Sequence, residues 1–366
     1  MLDSSPNFDL AIIGAGPAGS SAAITAARLG ASVVLLEARQ FPRHKVCGEF
    51  VSAESLDTLA ELLTESRRNY ALFATAPVID RTRLWLGTRM IAAAVSPPAL
   101  SIARYQLDAA LWEAAQSDGV DCRAECEVSA AEGDGPFQLR TAAGTIAARA
   151  LIVAAGRWSQ FTPDRRVPPG PRWVGLKAHF REPDPYLATD LYFFANGYCG
   201  VQPVSKDVVN TCAMVRSDRA NSLPQVFALH PALAARAAKW TPVTPPVSTA
   251  PLIYRPAQPA RGNVVFAGDA AAFIDPFVGD GISIALRSGR LAAQCLNKFL
   301  SGESELGRSV AAYQVEYLRQ FAPLLAFASR VRSLLSLPAV ARAAAFELLR
   351  LPGVMPLVIR NTRRVA

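Results

Sequence analysis

Gly14, Gly16 and Gly19 stand in G-x-G-x-x-G spacing within "GAGPAG", with Ala18 beside the third glycine. Such a loop can cradle a dinucleotide. The first glycine permits a tight turn, the second lets a pyrophosphate approach the backbone, and the third lets a helix pack closely on a strand. The phosphates would then meet free N–H groups at a helix N-terminus. Eighteen residues after Gly19, Glu37 closes the apolar run "SVVLLE", where a carboxylate can accept hydrogen bonds from ribose hydroxyls. Far along the chain, "VVFAGDAAAFIDPFVGDGISIAL" puts Asp269 after an apolar run and Gly281 and Ile282 at a second glycine-rich helix start. A carboxylate at a strand end can bind a sugar hydroxyl. N–H groups at a helix start can stabilise negative charge on a ring placed against them.

These residues need elements to hold them. "DLAIIGAGPAGSSAAITAARLGASVVLLEAR" predicts strand, turn, helix and strand, the strands apolar without alternation as in a buried parallel sheet. "SAESLDTLAELL" predicts a helix capped by Ser52, and "RYQLDAALWEAAQSDG" another closed by Gly119. "ALIVAAG" reads as a further buried strand. Residues 172–216 carry alternating strand-like segments, to be joined by 78–95 in an antiparallel sheet. After 305 the chain reads as helical, interrupted by Pro323, Pro338, Pro352 and Pro356.

The fold class expected is therefore α/β with two domains. A Rossmann-like nucleotide-binding unit would comprise 1–76, 100–170 and 255–305, and a substrate sheet 77–99 and 171–254. A helical C-terminal region would span 306–366. With 366 residues the chain is long enough for this, and at 51% hydrophobic it is greasy but globular. No apolar run reaches the length of a transmembrane helix, and no signal peptide is expected. Six scattered cysteines form no C-x-x-C, and three histidines are too few for a zinc site, so free thiols in a reducing cytoplasm are expected.

Together, "GAGPAG" with Glu37, "ARYQLDAALWEAA", "ALIVAAG" and "FAGDAAAFIDPFVGDGI" resemble the FAD-dependent family of p-hydroxybenzoate hydroxylase-type oxidoreductases. The resemblance covers at least residues 8–300. It implies FAD as cofactor, Arg104 near its pyrophosphate, Asp269 on its ribityl chain and Val128 by its adenine. "KVCGE" and "DPFVGDGI" look most like the geranylgeranyl reductase branch, which implies Cys47 and Gly48 beside the flavin. A thiol there could supply a proton opposite a hydride, or Cys47 could simply pack. Arg43, His44 and Lys45 would meet phosphate or face water.

The resemblance also suggests a pocket. Tyr198 and Pro203 of "GYCGVQP" match the reductases' substrate strand, but Gly200 and Gln202 stand where bulk is expected, which would open the wall and make it more polar. Trp85, Phe193 and Phe277 are further wall candidates. Where related hydroxylases carry Asp-Gly after the "ALIVAAG" strand, this chain has Gly156 and Arg157.

The leading expectation is reduction of carbon–carbon double bonds in a prenyl-, lipid- or polyketide-like substrate by hydride from reduced FAD. The alternative is hydroxylation of an aromatic or lipid-like substrate through a flavin hydroperoxide. A third reading is a non-catalytic flavin- or lipid-binding partner of a biosynthetic complex. Reduction would come from NAD(P)H or another donor, an external reductase included. Residues 319–366 hold eight arginines against Glu347, carrying +7 of the net +8. With the remainder near neutral, a nucleic-acid partner is not expected. That greasy, basic tail has two readings: a helical cap on the core, or an interfacial helix at the inner face of a membrane.

Overall fold

The computed structural model describes residues 7–63, 68–161, 169–170, 172–249, 251–274, 279–335, 337–350 and 354. Its first sheet is built on strand Phe8–Ile13, paired in parallel with Val33–Leu36 on one side and Gly144–Val153 on the other. Asp121–Arg123 extends one edge and Val264–Phe266 the other, both in parallel. A hairpin of Val128–Glu132 and Phe137–Thr141 leaves the main path through Gly144–Val153. The uninterrupted apolar runs have the expected cause: Leu10, Ile12, Val34, Leu35, Ile152 and Val153 are all inaccessible to solvent.

Helix Pro17–Arg28 packs between helices Arg104–Ser117 and Gly281–Leu300. The second contact is so close that a Cβ on Gly289 would lie 2.0 Å from the Ala18 carbonyl oxygen. The Ser21 hydroxyl donates to the Leu286 carbonyl across it, at 2.7 Å. Gly14, Glu37, Ala154 and Asp269 thereby all fall beyond the carboxyl ends of parallel strands, the rim where open α/β sheets bind ligands.

The second sheet has nine strands. Trp173–Arg181, Val208–Arg216, Gly197–Pro203 and Thr189–Phe194 pair antiparallel in that order. The wholly antiparallel expectation fails at one joint: Thr189–Phe194 runs parallel to Val78–Leu86, which forms a hairpin with Arg89–Ser101. Local alternation is the same for either direction, so the sequence pattern carried no signal for it. Phe50–Val51, from the segment expected in the first unit, pairs with the end of Arg89–Ser101. The loop after Glu37 therefore feeds directly into the second sheet.

Strand alternation gives this sheet two faces. Tyr192, Phe194, Cys199, Val201, Ala213 and Val215 form a core under helices Leu223–Ala228 and Pro231–Ala237. Tyr198, Met214, Phe193 and Leu191 form the opposite face, with Tyr254 and Phe273 packed on it.

Helix Leu306–Leu335 continues through Pro323, against the expected interruption. Proline removes one hydrogen bond and crowds the preceding turn. Tyr313, Tyr317, Phe321, Leu324 and Ala328 hold the helix to the core on both sides of that defect. Helix Ala339–Leu349 follows. Its Phe346 is buried against Leu84, with Leu86, Leu191, Phe193 and Leu349 around it, while Val340 and Leu348 are exposed. Part of the tail is thus a cap; Arg360, Arg363 and Arg364 lie outside the described residues.

Candidate active site

The glycine loop separates into structural and open positions. Gly14 has φ +98°, and a Cβ there would lie 2.6 Å from Ala155 Cα. A Cβ on Gly19 would strike the Gly14 carbonyl oxygen at 1.8 Å. Gly16 differs: an added methyl would meet only the Arg104 guanidinium, at 3.9 Å. Ala18 packs beneath this loop, buried. Room therefore exists between the start of helix Pro17–Arg28 and Arg104. Two more glycines border open space. A Cβ on Gly48 would meet nothing within 4 Å, and one on Gly281 only Ile274, at 4.0 Å. Ile282 behind it is buried, and the first N–H groups of its helix have no intrahelical acceptor.

Charges converge on the same path. Arg104 is bound by Asp108 through Nε–Oδ1 and Nη2–Oδ2 contacts of 2.8 Å each. Lys45 is solvent-exposed, yet burial of its surroundings and the charges of Arg43 and Arg104 pull its ammonium pKa down to about 8. Asp269 keeps 41% of its side-chain surface accessible, and burial still pushes its carboxyl up, against the pull of Arg157, Arg104 and Lys45. Asp269 stands in a cleft lined also by Arg157, Trp158, Arg255, Gln258 and Phe273.

Glu37 is nearly buried. Its carboxylate accepts the Ala15 N–H at 3.0 Å, the Arg39 N–H at 3.0 Å and Arg43 Nη2 at 2.8 Å. It is thus tied to the glycine loop, as a ribose-binding acid would be. The Val128 carbonyl accepts from the Gln160 amide at 2.8 Å, and its side chain is in the core.

The Cys47–Gly48 turn lies beside these groups. The Glu49 N–H donates to Cys47 Sγ at 3.3 Å, and the Arg104 guanidinium lies against the thiol. Burial pushes the Cys47 thiol up, so it is a protonated thiol at neutral pH rather than a thiolate nucleophile. Two residues on, Phe50 packs 3.1 Å from where a Cβ on Gly279 would stand. The structure thereby brings the turn and the helix start at Gly281 together, although Gly48 and Gly281 stand 233 positions apart in the sequence.

The proposed wall residues divide. Phe193 and Tyr198 share one face, with ring centroids 6.1 Å apart, beside Tyr254 and Phe273. Trp85 does not join them. It stacks on Tyr192 at 5.6 Å, donates to Asp190 from Nε1, and belongs to the opposite face. Register puts Pro203 on that opposite face as well, in step with Cys199 and Val201. Phe277 lies outside the described residues. Gln202, in step with Tyr198 and Gly200 on its strand, has its amide partnered. Its amide donates to Ser101 Oγ at 2.7 Å and accepts from Thr189 Oγ1 at 2.8 Å.

Sequence reasoning noted Arg157 only as a departure from the hydroxylase pattern and passed over the cluster around Glu49 altogether. Arg157 lies 3.6 Å from Asp269 and 4.1 Å from the Phe273 ring centroid. Glu49, Lys177 and His179 form a buried cluster whose one local signal was a pair of polar residues, two apart, within apolar "WVGLKAHF".

A largely parallel sheet bearing a glycine loop, Glu37 and an Asp269 cleft, joined to a large mixed sheet with an aromatic face, fits the class of dinucleotide-binding flavoproteins. The chain belongs to the FAD binding domain family, whose model matches residues 7–314. It is an FAD-dependent oxidoreductase. Menaquinone reductase of Mycolicibacterium smegmatis is 27% identical, over 96% of this chain and 90% of that protein. Digeranylgeranylglycerophospholipid reductase 2 of Methanopyrus kandleri is 23% identical, over 90% of this chain and 87% of that protein. Among solved structures, the flavin-dependent brominase Bmp2 superposes with a TM-score of 0.79 at 19% identity, covering 97% and 93% of the two chains, a likeness of fold.

Proposed function

We propose that this protein reduces carbon–carbon double bonds in a prenyl-bearing lipid or quinone. The observation that carries the reading is the aromatic and aliphatic face formed by Leu191, Phe193, Tyr198 and Met214. It is continuous with Tyr254 and Phe273 and so reaches the Asp269 cleft. Reductases of a menaquinone and of a digeranylgeranyl lipid among the relatives support it. Pockets for apolar ligands are lined in this way, with few polar groups.

Bound and reduced FAD supplies the hydride. The chain's residues do the rest. Gly16 and the first turn of helix Pro17–Arg28 would hold the pyrophosphate, with Arg104 and Lys45 balancing its charge. Glu37 would take ribose hydroxyls and Asp269 the ribityl chain, and Gly48 and Gly281 would border the ring. The apolar face would exclude water and bind the extended substrate chain. Cys47, protonated by virtue of its burial, is placed to give a proton to the carbon that does not receive hydride. The basic tail, with Val340 and Leu348 exposed on helix Ala339–Leu349, meets the membrane that holds such substrates. Among the described residues, no helix is long and apolar enough to cross a membrane.

The test is anaerobic incubation of the reduced protein with a prenylated quinone and with an unsaturated isoprenoid lipid. A product whose prenyl chain is heavier by two hydrogens is expected, read for the quinone after reoxidation of any quinol. No anaerobic product, with a gain of one oxygen in air, would replace this reading with hydroxylation.

A further inference from the structure

A buried polar cluster surrounds Glu49, two residues after Cys47. Glu49 is inaccessible to solvent and has φ +63°, a left-handed conformation that costs a non-glycine residue about 1 kcal/mol or more unless its surroundings impose it. They do. Its Oε1 accepts from Lys177 Nζ at 2.8 Å and from the Arg104 N–H at 2.9 Å, and its Oε2 meets His179 Nε2 at 2.7 Å. Lys177 is equally buried, and its ammonium also reaches His44 Nδ1 at 3.3 Å. Since that ammonium can only donate, His44 accepts at Nδ1 and is neutral.

Alongside, the Asn210 side-chain amide donates to the carbonyls of both Cys47 and Gly48, at 3.0 Å each. On the second sheet, Lys177 and His179 sit two apart on one strand and Asn210 faces His179 across the ladder. All three project from one face onto the turn. A buried ion pair is a poor source of stability, because desolvation offsets the attraction, but it fixes a geometry. Here the geometry fixed is that of three residues, Cys47, Gly48 and Glu49. The bonds come from both units: the start of helix Arg104–Ser117 in one, two strands of the substrate sheet in the other.

We infer that Glu49, Lys177, His179 and Asn210 are positioning residues: a lock between the two sheets that sets where the Cys47–Gly48 turn stands relative to the helix start at Gly281, and so the slot that receives the flavin ring. The inference rests on the FAD reading of that slot. It explains why a strained residue carries the ionic hub. A glycine at 49 would relax the backbone and lose the carboxylate. It also explains why a strand of the second sheet devotes two inward positions to polar side chains, Lys177 and His179.

The test is Asn210→Leu, which removes both bonds to the turn and leaves the ion pair intact. Apoprotein of the wild type and the variant is titrated with FAD, and the visible spectrum of the bound flavin is recorded together with a denaturant unfolding curve. The expected result is a folded variant that binds FAD about tenfold more weakly, equivalent to about 1.4 kcal/mol, with its flavin absorption maxima displaced. A folded Asn210→Leu with wild-type affinity and spectrum overturns the lock. Should that variant fail to fold, the double variant Glu49→Gln, Lys177→Met carries the test. It removes both charges at once, and the same weaker binding and displaced spectrum are expected. Collapse of both variants makes the cluster a determinant of the fold and overturns the positioning role. Wild-type protein that takes up no FAD overturns the cofactor reading itself, which the first titration reports separately.

Discussion

Gly16→Ala separates cofactor binding from folding in a way the other loop glycines cannot. Gly16 stands at the N-cap of helix Pro17–Arg28 with φ −78° and ψ −175°, extended backbone that alanine adopts freely. Its added methyl would approach only the Arg104 side chain, at 3.9 Å. Replacing glycine by alanine where the backbone allows it stabilises by about 0.4–1 kcal/mol through the unfolded chain. Losing glycine at an N-cap costs a similar few tenths to 1 kcal/mol. The two offset, and apoprotein stability is expected within about 1 kcal/mol of wild type. The methyl nevertheless fills the approach by which a pyrophosphate would reach the N–H groups of the helix start. One charge-assisted hydrogen bond lost there is worth about 1.5–3 kcal/mol, or roughly 10- to 150-fold in FAD affinity. Quenching of flavin fluorescence on titration of apoprotein measures it, with urea unfolding of the same sample. Gly19→Ala is the control of opposite kind: its methyl collides with the Gly14 carbonyl oxygen at 1.8 Å, so the fold itself must move, at about 1–3 kcal/mol or more. A Gly16→Ala protein that binds FAD as the wild type does would refute the placement of the pyrophosphate.

Four further outcomes follow from the same geometry. The Lys45 ammonium, held down to about 8 by its buried surroundings and by Arg43 and Arg104, gains an anion when the pyrophosphate arrives, so its pKa rises on binding. FAD affinity therefore falls as pH climbs past 8, by at most about tenfold per pH unit for one proton. Lys45→Met should flatten that slope in the same titration. Cys47→Ser is expected to keep FAD and lower the rate of substrate reduction; unchanged turnover removes the proton-donor role. Phe193→Leu should raise KM for a prenyl substrate with kcat little altered, whereas Trp85→Phe, on the far face, should leave KM alone and cost about 0.5–1.5 kcal/mol in unfolding free energy through the one lost bond to Asp190, whose oxygens still accept from Arg83 and Arg236. Burial and the Lys177 charge hold the His44 pKa below its ordinary value. Its contribution to stability is present above about pH 6.5 and lost as pH falls through the lowered folded value. His44→Gln keeps an acceptor for Lys177 and should lose less stability between pH 6.5 and 5, as urea midpoints would show; His230, shifted in the same direction, leaves a residual slope in both proteins.

What the sequence made legible is what short-range physics decides. The glycine spacing, the unalternating strands and the carboxylate at the strand end all depend on neighbours within about forty residues, and Gly14, Gly19 and Glu37 stand where that reasoning put them. The pocket wall did not yield to it, for a reason of parity. Successive residues in a strand point to opposite faces, so naming "Trp85, Phe193, Tyr198" as one wall assumes a register that only pairing supplies. The ladder sets Tyr192 against Trp85 and Phe193 against Leu86. That one-residue step sends Trp85 to the Arg83–Asp190–Arg236 side and Phe193 to the cleft side. The Glu49 cluster was hidden by distance instead: Lys177 lies 128 residues from Glu49, and neither carries a motif. Yet its necessity could have been argued from burial alone. A lysine and a histidine two apart on an apolar strand must both enter the core or both leave it, and entering requires an acid. Among the described residues that acid is Glu49 of "KVCGE", so one stretch of sequence carries both the Cys47–Gly48 turn and the anchor that fixes it to the second sheet.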